Sequence, residues 1–158
     1  MRRRSLDLAG HHPEVPWGLN EVSWSVVSRP YAEAAAYRRA LLQAELACRL
    51  VPQDGEFLTT LGAAQYRLGY DAEAVATLML ADEILTRIGM YSRVEHLALL
   101  ALTQHRLGKV AEARAALDRL RQLVSQPQSN VSEPGLTILH EIKALEQDLA
   151  FPADPFAP

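Results

Sequence analysis

The sequence predicts an all-α fold built as a stack of antiparallel helical hairpins, and three observations predict it. Apolar residues recur with helical periodicity along most of the chain, between stops supplied by glycine and proline. The middle of the chain repeats itself. Leu61-Gly62-Ala63-Ala64-Gln65-Tyr66-Arg67-Leu68-Gly69 is answered 39 residues on by Leu100-Ala101-Leu102-Thr103-Gln104-His105-Arg106-Leu107-Gly108, and an Ala-Glu-Ala triplet follows each glycine. Composition is globular, with 49 % hydrophobic and 22 % charged residues over 158 positions, enough for one domain with its own core. One hairpin cannot bury its own apolar stripe, so a repeating hairpin implies stacking.

Residues 1–17, with His11, His12, Pro13 and Pro16, read as an irregular arm. A first helix is expected over 18–28, carrying Leu19, Val22, Trp24, Val26 and Val27, although this Val/Ser/Trp mixture also suits a strand. Pro30 fits the first turn of a second helix reaching about residue 50. Its packed face is Leu41, Leu42, Leu46 and Leu50 with Ala40, Ala44 and Ala47, and Pro52 stops it. Asp54 is placed to cap a third helix over 55–68, which Gly69 ends. Asp71 then caps a fourth, reaching about residue 88 before Gly89. Ser92 and Glu95 have the spacing of a capping box for a fifth helix that stops near Gly108. A sixth covers 110–124. Residues 126–133 are polar, contain Pro127 and read as a loop. Pro134 opens a last helix over 134–150, with Leu136, Leu139, Ile142, Leu145 and Leu149 on its apolar face. Three prolines keep the tail 151–158 out of a helix.

The repeated unit resembles the tetratricopeptide repeat, whose framework is W-x₂-L-G-x₂-Y…A-x₃-F…P. From Gly55, Leu58 takes the tryptophan place, Leu61-Gly62 the Leu-Gly place, and Gln65, beside Tyr66, the tyrosine place. Ala74, Leu78 and Ala81 follow as the small, large and small positions of the second helix. In the next unit Leu97, Leu100-Ala101, Gln104, Ala113, Leu117 and Leu120 match, with alanine in place of the close-packing glycine. A degenerate unit precedes, recognisable by Ala40, Ala44, Ala47 and Pro52. The 39-residue spacing exceeds the family's roughly 34, and the excess falls around 85–92. The resemblance covers residues 18–125 and implies a right-handed stack of about three repeats, with helix 134–150 as a C-terminal cap.

In that family the first helix of each hairpin lines a concave groove that holds peptides. Carried over, the groove positions are Asn20, Trp24, Glu56, Thr59, Tyr66, Arg67, Glu95, Leu102, His105 and Arg106, with Trp17, Val27, Ala63 and Ala98 beside them. Paired arginines suit a carboxylate and the aromatics suit apolar contact, so an acidic and hydrophobic peptide is the expected ligand. Arg67 and Arg106 also lie two residues before a terminating glycine, where arginine serves as a helix-end cap. Trp24 likewise suits core packing. Some relatives clamp a C-terminal carboxylate with lysines and an asparagine; Lys109 and Lys143 occupy no groove position here, so that mode is not expected.

A non-catalytic protein- or peptide-binding adaptor is thus the expected function. A structural or oligomerisation element of a larger assembly is one alternative: it would bury Tyr66 and Arg67 at a subunit contact, where an adaptor leaves them exposed. A small-molecule sensor or enzyme with a pocket near Trp17, Trp24 and Tyr66 is another. The tail, with Phe151, Pro152, Asp154, Pro155 and Phe156, has the character of a short linear ligand and offers self-association. No cofactor, metal or catalytic residue is expected: the five histidines form no H-E-x-x-H pair, Cys48 has no second cysteine, and no phosphate loop or nucleophile elbow occurs. A net charge of -3 gives no reason to expect nucleic acid. The chain carries no signal-peptide pattern and no run of about 18 apolar residues, so a cytoplasmic protein without membrane contact is the expectation.

Overall fold

The computed structural model describes residues 14–89, 94–126 and 131–150, with only the backbone for 148–150. Among these residues the chain forms seven helices: α1 (Glu14–Val27), α2 (Ala34–Leu50), α3 (Gly55–Arg67), α4 (Asp71–Arg87), α5 (Val94–Arg106), α6 (Val110–Val124) and α7 (Glu133–Ala150). They pair as hairpins α1/α2, α3/α4 and α5/α6. The second helix of each hairpin packs on the first of the next, and α1, α3 and α5 lie side by side. This is an all-α stack of helical hairpins followed by a final helix. The tail 151–158, His11, His12 and the Ser92 capping box lie outside the described residues.

The repeated sequence produces repeated turns. Gly69 and Gly108 have φ of +79° and +72°, a conformation that glycine adopts without strain. Around them Tyr70 N donates to Gln65 O at 2.9 Å and Gly69 N to Tyr66 O at 3.1 Å; Lys109 N to Gln104 O and Gly108 N to His105 O repeat the pair at 2.9 and 2.8 Å. Both ends are Schellman motifs. Asp54 caps α3 as expected, its Oδ1 accepting from Glu56 N and Phe57 N at 2.9 and 3.0 Å. Asp71 does not cap: it is the first residue of α4, and its carboxylate faces Arg106 instead.

Several boundaries differ from the sequence reading. α1 starts at Glu14 rather than residue 18, because Pro16 falls in its first turn, where no backbone donor is needed. Pro30 belongs to the turn before α2, not to its first turn. There Tyr31 adopts φ +70° with its ring in solvent, and Tyr37 ties the turn, its hydroxyl donating to Arg29 O (2.7 Å) and accepting from Ala32 N (3.0 Å). The buried face of α2 is Tyr37, Ala40, Ala44 and Ala47, while Leu42 is 64 % exposed: close helix approach selects the small residues. On α7 the buried side chains are Ile138, Ile142 and Leu145, and Leu136 is 55 % exposed.

The seam inside each hairpin is solved three ways. A Cβ at Gly62 would sit 2.6 Å from Leu78 Cγ, so only glycine fits there. Ala101, at the equivalent place in the next hairpin, is fully buried. In the first hairpin Ser23 is buried and donates Oγ to Ala40 O at 2.8 Å. Gly62→Val is expected to lower the unfolding free energy by at least about 2 kcal/mol in urea titration, since fully buried Leu78 has nowhere to move.

Candidate binding groove

The inner faces of α1, α3 and α5 bear the side chains expected to line a groove, and the final helix divides that surface in two. α7 packs on α5 and reaches across it to α3. One half stays open. A cleft of about 400 Å³ lies between α1, α3, α5 and the start of α7, lined by Trp17, Asn20, Trp24, Glu56, Thr59 and Glu95, with Glu21 beside them. Trp17 is held edge-on against buried Phe57, with ring centroids 4.8 Å apart and planes at 76°. Trp24 is half-buried, packing on the core while lining the cleft. Asn20 Oδ1 is buried without a hydrogen-bond partner. Glu95 accepts from Ser132 Oγ, and that Oγ accepts from Gly135 N at 3.1 Å, which fixes the first turn of α7.

The other half is filled by α7. Arg67 donates Nε to Val27 O at 2.9 Å and grips Glu141 through Nη1 and Nη2, both at 2.7 Å. The side chains of Arg67 and Glu141 are 6 % and 21 % exposed. Arg106 donates Nη1 to Tyr66 O at 3.1 Å, lies over the Tyr66 ring at 4.5 Å, and its Nε is 3.2 Å from Asp71 Oδ2. Tyr66 is buried between the two arginines; burial, and after it the Glu141 carboxylate, raises its hydroxyl pKa above the ordinary value. Leu102, Ala63 and Ala98 are also buried, and His105 is half-buried. Tyr66, Leu102, His105 and Arg106 form, with Tyr31 and His140, a broader recess along the edge of α7. Tyr66 and Arg67 are therefore covered by the chain's own helix, an arrangement that neither the adaptor nor the assembly alternative anticipated.

A polar chain missed in the sequence runs behind the open cleft. His96 is fully buried; its Nδ1 lies 3.1 Å from Thr59 Oγ1 and its Nε2 3.6 Å from Asp82 Oδ1. Asp82 in turn accepts two bonds from Arg119, each at 2.8 Å. Thr59 has one hydroxyl proton and donates it to Gly55 O at 2.8 Å. The Thr59 oxygen is thereby left to accept from His96 Nδ1–H, while Nε2, 3.6 Å from Asp82 Oδ1, is buried without a hydrogen bond. Burial above all, opposed by the pull of Asp82 and aided by the nearby Arg119 charge, lowers the His96 pKa from 6.5 to about 4. The signal was present: α5 is buried at almost every position from Val94 to Gln104, so a histidine within that run must find partners.

Comparison of the chain with protein-family models, curated proteins and solved structures gave no match. No helix among the described residues is long and apolar enough to cross a membrane.

His96 supplies a pH test. Because its folded-state pKa lies below the ordinary 6.5, the unfolded chain takes up the proton first, so stability falls as pH drops from 6.5 and levels off below about 4. Between pH 7 and 4 the wild type is expected to lose on the order of 3 kcal/mol more than His96→Leu, a variant that leaves Thr59 bonded to Gly55 and Asp82 to Arg119. Parallel denaturation curves at the two pH values would show that His96 does not titrate in this range.

Proposed function

We propose that the chain is a non-catalytic adaptor of the tetratricopeptide-repeat kind, binding a peptide segment of another protein along the concave side of its hairpin stack. The observation that carries this reading is the open cleft between α1, α3 and α5, walled by Trp17 and Trp24. Rigid aromatic walls give apolar contact at small entropic cost, while Asn20, whose Oδ1 has no partner, offers a polar group to a peptide backbone. The carboxylates of Glu21, Glu56 and Glu95 at the same cleft disfavour an acidic side chain there. Arg67 and Arg106, the groups that suit an acidic ligand, have partners inside the chain. The segment taken by the open cleft is therefore apolar and neutral or basic.

A small-molecule sensor is the second reading. A cleft of about 400 Å³ between tryptophans falls within the usual range of roughly 300–1,000 Å³ for ligand sites. Tryptophan fluorescence separates the two readings. Apolar-basic peptides of a random library are expected to shift the emission and bind at least tenfold tighter than their acidic counterparts, and Trp24→Ala is expected to cost at least tenfold in affinity. A shift with metabolite-sized compounds and none with any peptide would transfer the site to the sensor reading.

A further inference from the structure

We propose that the half of the groove filled by α7, over Tyr66 and Leu102, is a helix-docking site, and that an acidic amphipathic helix of another protein displaces α7 from it. The inference rests on the adaptor reading and adds a second class of partner. Three observations carry it. The first is the resident's pattern: Ile138, Ile142 and Leu145 form one buried stripe at helical spacing, and Glu141, beside Ile142, enters the Arg67 fork. Apolar anchors at i, i+4 and i+7 are how an amphipathic helix lies in a groove. The second is the ion pair itself. A buried pair such as Arg67–Glu141 contributes little net stability compared with apolar packing, and its best-attested use is to fix register between two surfaces. Here it sits on the contact between the stack and a helix added after it. The third is that the hairpins are joined without α7: Arg67 and Arg106 bond to Val27 and Tyr66, and the helices of adjacent hairpins pack directly.

That half of the groove thus receives a helix bearing Ile-x-x-Glu-Ile-x-x-Leu or its equivalent, with the carboxylate in the Arg67 fork. Because α7 occupies the site in cis, an outside helix binds with an apparent affinity reduced by the fraction of time that α7 is away.

The test uses the full chain and a fluorescent peptide with the sequence of residues 131–150. Glu141→Arg sets two cations against each other and is expected to release α7. Its amides lose hydrogen-exchange protection while α1–α6 keep theirs, and the peptide binds at least tenfold tighter than to the wild type. Adding Arg67→Glu to that variant is expected to abolish this gain and to transfer preference to a peptide carrying Glu141→Arg. Retained protection of α7, or no preference between the two peptides, would overturn the proposal. If Glu141→Arg melts the whole chain, Glu141→Gln decides: selective release of α7 with tighter peptide binding supports docking, and cooperative loss of every helix makes α7 plain core. A wild-type dimer that the peptide dissociates would give the site to a second copy and overturn the assignment to a foreign helix. Release of α7 with no peptide bound at either half of the groove fails the adaptor reading as well, whereas a protected α7 with peptide bound at the tryptophan cleft fails this inference alone.

Discussion

The arrangement depends on one interaction used twice. An arginine near the end of the first helix of a hairpin reaches back to a carbonyl at the end of the first helix of the hairpin before it, Arg67 to Val27 and Arg106 to Tyr66. Helix C-termini leave carbonyls without partners inside their own helix, and a cation there also complements the dipole. Each guanidinium thus does for the neighbour what the Schellman turn does for its own helix, and it fixes one hairpin against the next. With the end of α1, α3 and α5 held in line, their inner faces become one surface.

The planar fork has donors left over, and their use distinguishes the two positions. Arg67, deep in the stack, spends them on Glu141. Arg106, nearer the solvent, turns to Asp71 and the face of Tyr66. A lysine in either place has a single charged centre and serves one partner in place of several. The cleft behind the tryptophans has a different character, since its walls come from α1, α3, α5 and the start of α7 and its polar backing from the His96 chain.

The repeat was legible because its signals are local. The glycine ends, the Asp54 cap and the helix faces around Ala74 and Leu78 each depend on a few adjacent residues, and the structure follows them. What failed was of two kinds. Proline is ambiguous from sequence: Pro16 reads as part of an irregular arm yet lies inside the first turn of α1, and Pro30 reads as a helix start yet lies in a turn. Long-range pairing is invisible to a pattern: Arg67 reads as a holder of a ligand carboxylate or as a cap on its own helix, yet it bonds Glu141, 74 positions away on α7, and the Val27 carbonyl at the end of α1. For His96 the sequence offers no partner, since adjacent helical residues such as Glu95 do not face one another. Its partners, Thr59 and Asp82, come from two other helices.

The three versions of the hairpin seam have a consequence for how the chain folds. Arrays of like units are prone to misassembly, in which a helix pairs with the wrong copy of its partner. Here the helix with Gly62 offers a slot for the crown of Leu78, the one with Ala101 has that space filled, and the one with Ser23 presents a hydroxyl that must find Ala40 O. Exchanging partners leaves a void, a clash or a stranded proton. Unequal seams work as keys cut for different locks, so divergence between the repeats steers each helix to its own mate during folding.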